Sequence, residues 1–167
     1  MRSGKRRDAD EDERFEQLFR REFAPLVRAL ALIAGEVEVA ADAVQDAFVQ
    51  AHRHRQHVLA LESPAGWLRH VALNRIRNQH RGQSRERNAF PRLAVTDAVD
   101  PDWGDELTAL ALLISLSPQQ RATATMYYLL DQPTSAIADH LGITEATVRS
   151  HLRSARTNLQ RDLREDV

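Results

Sequence analysis

Cysteine is missing altogether from the 167 residues. That removes disulfides, thiolate chemistry and cysteine-ligated zinc. Aromatic residues make up only 5% of the chain, although hydrophobic residues reach 43%. Any core must therefore be built from Leu, Val, Ile and Ala, a mixture that favours helices over sheets. Of the 23 basic residues only Lys5 is lysine. No apolar run approaches the roughly 20 residues needed to span a bilayer, so no membrane insertion and a cytoplasmic location are expected. The opening MRSGKRRDADEDE has no apolar segment behind its basic residues, unlike a signal peptide. Its charge predicts a disordered lead-in over residues 1–11.

Catalytic signatures are also lacking. The chain holds no G-x-S-x-G, no glycine-rich phosphate loop and no paired carboxylates in a plausible pocket context. His52, His54 and His57 lie close in sequence, but interleaved arginines repel a cation and no carboxylate accompanies them. Neither an enzyme nor a cofactor or metal site is expected.

Charge is present but segregated, so the net value of −1 says little. Seven arginines and one acid, Glu86, occupy Trp67 to Arg92. Five acids and no basic residue follow from Leu93 to Glu106, and five arginines with one acid, Asp162, from Thr147 to Arg164. Two basic blocks split by an acidic one suit contact with a polyanion at two places. Solvated helix faces would give the same pattern.

Helical periodicity dominates. Phe15, Leu18, Phe19, Phe23, Val27 and Leu30 form one stripe, with Pro25 placed to kink or divide the helix and Gly35 to end it. Val39, Ala43, Val44, Ala47, Phe48 and Ala51 form a second. Ser63-Pro64 then reads as a side-chain cap with proline in the first turn. The helix it starts carries Trp67, Leu68, Val71, Ala72 and Ile76 on one side, and Arg69, Asn74, Arg77, Asn78 and Arg81 on the other. Periodicity fails from Gly82 to about Asp102 and returns at Leu107. Ser117-Pro118 repeats the start signal for a helix over about 118–130. The expected fold is all-α: two small helical domains, 12–81 and 105–163, joined by an acidic flexible linker over 82–104.

The most specific pattern is a helix–turn–helix at about 134–153. Thr134 or Ser135 can cap a short helix holding Ile137, Ala138 and Leu141, and Gly142 supplies the turn. Thr144 can cap a second helix that turns Val148, Leu152, Ala155 and Leu159 inward. Its outward residues, among them Glu145, Thr147, Arg149, Ser150 and Arg153, suit a helix lying in the major groove.

At this point the chain resembles a known family. The segment from LSPQQR to EATVRSHLRSARTNL is similar to region 4 of the sigma factors of extracytoplasmic function (ECF), promoter-specificity subunits of bacterial RNA polymerase. Ala40-Ala41-Asp42-Ala43-Val44-Gln45-Asp46-Ala47-Phe48 resembles the AED-x-x-Q-[ED]-x-F signature of region 2. Trp67-Leu68, Val71-Ala72 and Asn74 resemble its WL-x-x-IA-x-N segment, with Arg81 at the downstream arginine. The resemblance covers about residues 12–163. It departs from the family pattern at Ala41, His52, Asn78, Ala136 and His151.

The resemblance implies core RNA polymerase and promoter DNA as partners. Asp42, Gln45 and Asp46 would meet the clamp helices of the largest subunit, and the region-4 half the flap of the second-largest. Asn74, Arg77, Asn78 and Arg81 would line the path of the −10 strand, with Val58 to Glu62 as the pocket for a flipped base. Trp67 would stack on a base or close the core. Thr147, Arg149, Ser150 and Arg153 would meet the −35 element. An anti-sigma factor would hold the protein inactive. A stand-alone helix–turn–helix regulator of duplex DNA is the alternative.

Overall fold

The computed structural model describes residues 2–83 and 112–165, and the expected linker lies almost wholly outside them. All regular secondary structure among the described residues is helical, with no strand among them. Helix α1 runs Arg2–Ala34, α2 Val37–Arg53, α3 Arg55–Leu59 and α4 Pro64–Gln83. After a helical turn at 112–115 come α5 Pro118–Ala124, a π-helical turn Thr125–Leu129, α6 Thr134–Leu141 and α7 Glu145–Glu165.

Helix α1 corrects two expectations. It begins at Arg2, so residues 2–11 of the expected disordered lead-in are helical. Contacts further along explain the extension: Glu11 is buried, Asp12 faces Arg55 at 3.4 Å, and Arg14 Nη2 donates to the Leu59 carbonyl at 3.2 Å. The N-terminal turns continue a helix already nucleated by packing, which is far cheaper than starting one. Pro25 does not divide the helix either. Gly35, at φ 82°, ends it as the spacing predicts, its N–H donating to the Ala31 carbonyl at 2.8 Å.

The first half packs α2 and α4 on α1. Helix α2 buries Ala40, Ala43, Val44, Ala47, Phe48 and Ala51, and its alanines let the helices approach closely. Helix α4 adds Leu68, Ala72, Leu73 and Ile76. Ser63 Oγ accepts from the Gly66 N–H at 3.0 Å and so caps α4 ahead of Pro64. Ser117 does the same for α5, accepting from the Gln120 N–H at 3.5 Å with Pro118 in the first turn.

The helix expected over 118–130 changes pitch at Thr125. There the Leu130 N–H reaches back five residues to the Thr125 carbonyl at 3.1 Å. The wider turn keeps Met126 and Leu130 in the core and presents Tyr127, Tyr128 and Leu129 to solvent.

The two halves are in contact. Every residue from Ala29 to Ala34 is buried, so the end of α1 is covered on all sides. Leu32 clusters with Leu113, Leu116, Ala124 and Ala155 of the second half. Arg121, 4% exposed, donates from Nε to the Leu32 carbonyl at 3.1 Å. Desolvation by this burial lowers the Arg121 pKa below its ordinary value. At the surface Arg69 of α4 pairs with Asp131 at 2.9 Å.

Candidate nucleic-acid interface

The C-terminal site is built on α6 and α7. Ile137 and Ala138 of α6 are buried with Val148 and Leu152 of α7 in one cluster, and Leu141 packs at its edge. Gly142 takes φ 67° between the helices, and a Cβ there would meet nothing within 4 Å. The turn therefore needs the backbone freedom of glycine and not its lack of bulk. Thr144 caps α7 as expected, its Oγ1 accepting from the Thr147 N–H at 3.2 Å.

The expected cap of α6 is corrected. Neither Thr134 nor Ser135 serves, because the helix begins one residue earlier, after Pro133, with no side-chain cap bond. Thr134 Oγ1 is engaged elsewhere: it donates to Glu145 Oε2 at 2.8 Å.

This scaffold leaves Arg149, Ser150 and Arg153 exposed on α7. Thr147 is half-buried and bonds the Thr144 hydroxyl at 2.9 Å. Arg149 Nη1 donates to Glu145 Oε2 at 3.1 Å. Arg156, absent from the sequence-level candidates, gives Nε and Nη2 to Tyr128 Oη at 3.3 and 3.0 Å. An outward basic row opposite a packed apolar stripe is what a major-groove helix requires.

The site on α4 is less open. Trp67 is half-buried and packs against the core. Asn74 is half-buried and held by His70, Nδ2 to Nε2 2.9 Å. Arg77 is half-buried, its Nε shielded from solvent with no hydrogen-bond partner, and Asn78 is exposed. Arg81 lies on the same helix, and its side chain is outside the described residues. The pocket expected from Val58 to Glu62 is reduced to its last residues. Val58 and Leu59 are core side chains of α3, and only Ala60 and Glu62 are exposed. Leu59 remains useful through its carbonyl, which Arg14 holds.

The acidic face of α2 forms as spaced. Asp42 and Gln45 are exposed, and Asp46 is half-buried against Arg75 of α4 at 2.9 Å. Among the described residues no helix is long and apolar enough to cross a membrane.

Comparison with known proteins decides the family. Residues 19–86 match the model for sigma-70 region 2, and residues 107–159 the model for sigma-70 region 4. The ECF RNA polymerase sigma factor SigL of Mycobacterium tuberculosis is 31% identical over 150 residues, 85% of this chain and 84% of that protein. The chain belongs to the ECF sigma factors of RNA polymerase. SigM of the same organism is 30% identical over 152 residues, 88% of this chain and 76% of the relative. A probable RNA polymerase sigma factor, RfaY of Xanthomonas campestris, is 30% identical over 155 residues. This chain spans only 37% of its length. The fold is similar to that of the sigma factor RpoE from Bartonella quintana, crystallised with the anti-sigma factor NepR. The TM-score is 0.59 at 21% identity, over 93% of this chain and 99% of that one. As a sigma factor the protein directs RNA polymerase to specific promoters for the initiation of transcription.

Proposed function

We propose that this ECF sigma factor divides its task between two domains, 12–81 and 105–163, and carries no catalysis of its own. In the first, Asp42, Gln45 and Asp46 dock on the clamp helices of the polymerase's largest subunit. Asn74, Arg77, Asn78 and Arg81 then line the −10 strand, where arginines neutralise phosphate and stack beside exposed bases. Trp67 supports that helix from the core side. In the second domain, Thr147, Arg149, Ser150 and Arg153 enter the major groove at the −35 element while the same domain meets the flap of the second-largest subunit. The protein acts in the cytoplasm, and an anti-sigma factor is its expected restraint. The observation that carries this reading is the exposed basic row Arg149, Ser150, Arg153 on a helix whose opposite face is locked into the core.

The contact between the halves adds a requirement. The route from Asn74 through the Arg69–Asp131 and Thr134–Glu145 contacts limits the Asn74–Arg149 Cα separation to about 50 Å. Elements centred roughly 25 base pairs apart lie about 85 Å apart along duplex DNA. Extended side chains at both ends do not close the difference. The halves therefore separate when both elements are engaged.

Reconstitution tests the reading. Full-length protein with core polymerase should give transcription from a promoter selected by the holoenzyme. Absence of any binding to core would refute it.

A further inference from the structure

We infer that Glu145 is a positioning residue that sets promoter specificity at the base Arg149 reads; this rests on α7 being the −35-reading helix. One atom, Glu145 Oε2, accepts both the Thr134 hydroxyl at 2.8 Å and Arg149 Nη1 at 3.1 Å. Thr134 is the first residue of α6 and Glu145 the first of α7. The shared carboxylate therefore ties together the starts of both helices and one guanidinium.

An exposed i, i+4 ion pair alone would not aim a side chain, because such pairs are weak and trade rotamers freely. Here the side chains are 60% exposed for Arg149 and 44% for Glu145. The Thr134 bond changes that. It comes from another helix, is partly buried and gives the carboxylate a second anchor outside α7. With one Nη1 proton engaged, Arg149 keeps its remaining N–H groups in a fixed plane. That geometry suits bidentate donation to guanine N7 and O6. The negative charge has a second effect at the same spot. Recognition-helix residues near the N-terminus lie deepest in the groove, where a carboxylate opposes the phosphates and penalises docking that does not satisfy Arg149.

The two effects have a signature that a purely structural role would not produce. In holoenzyme reconstituted from the full chain and core polymerase, a randomised duplex library should yield a motif. Glu145→Gln should flatten preference at one −35 position by about tenfold and leave the other positions sharp. It should also tighten binding to random-sequence duplex and steepen its salt dependence, since a repelling charge is gone. Thr134→Val keeps the charge. It should flatten the same position and leave random-sequence affinity where it was. Thermal melting of each variant checks that the fold is intact. An unchanged motif in Glu145→Gln, or equal flattening at every position, overturns the proposal and leaves the promoter-reading role standing. A wild-type holoenzyme that selects no motif overturns both.

Discussion

The Arg121 guanidinium caps a helix that belongs to the other half of the molecule. Its Nε donates to the carbonyl of Leu32, among the last four of α1, at 3.1 Å. Those carbonyls have no partner within their own helix, and they carry the negative end of its dipole. The last turn of α1 contains no basic residue. The second half supplies the cation that the first half lacks. Arg121→Leu should therefore cost about 1.5–3 kcal/mol, the range for a hydrogen bond to a charged group. Urea unfolding of the full chain measures it. A loss within a few tenths of a kcal/mol would show that the carbonyl is served otherwise.

Separation of the halves can be followed directly because the chain has no cysteine of its own. Dyes placed by Gln56→Cys on α3 and Gln160→Cys on α7, both exposed, report the distance between the halves. Energy transfer should be high in the free protein and fall when holoenzyme engages both promoter elements. Equal transfer in the two states would remove the opening step.

On α2, reversal of an exposed acid should weaken core polymerase binding. Like charges brought together across an interface cost several kcal/mol, so Asp42→Arg should lose at least about tenfold in a competition assay for core. Arg75→Ala, which breaks the half-exposed pair with Asp46, should change folding stability by no more than about 1 kcal/mol. An Asp42→Arg protein that competes as well as wild type would exclude this face from docking.

At the turn of the helix–turn–helix, Gly142→Ala isolates backbone strain. The added Cβ meets open space, yet φ is 67°. A left-handed conformation costs an L-residue roughly 1–2 kcal/mol. Denaturant titration should show a loss of about that size with no change in the DNA motif. No loss would mean that the turn relaxes.

Arg149 and Arg153 should separate by contact type. A base-reading arginine replaced by alanine costs about 1–3 kcal/mol and relaxes one position. A phosphate-holding one weakens binding to every sequence and reduces the salt slope by about one. If Glu145 positions Arg149 as proposed, Arg149 is the expected base reader and Arg153 the expected phosphate contact. Salt titrations of the two alanine variants, with matched and mismatched duplexes, distinguish them. The reverse pattern would exchange the roles.

What the sequence determined by itself is short-range. Stripe spacing, the Ser63-Pro64 and Ser117-Pro118 starts, Thr144 and the two positive-φ glycines placed most helices and the exposed basic face of α7. Each acts within a turn or two of chain, so each is legible without the fold. The buried end of α1 was missed by the stripe spacing, although the uninterrupted apolar run Ala29 to Ala34 is the mark of a helix covered all round. What only the tertiary structure decided depends on partners far apart in sequence. Arg121 and Leu32 are 89 positions apart, Arg69 and Asp131 62, and Arg14 and Leu59 45. Thr134 looked like a cap because threonine at a helix start usually is one, and its hydroxyl instead went to Glu145. Val58 and Leu59 were expected in a base pocket because the family resemblance placed one there, and burial made them core. A hydroxyl or a guanidinium has several acceptable partners, and which one it takes is settled only when packing brings one of them within hydrogen-bond reach.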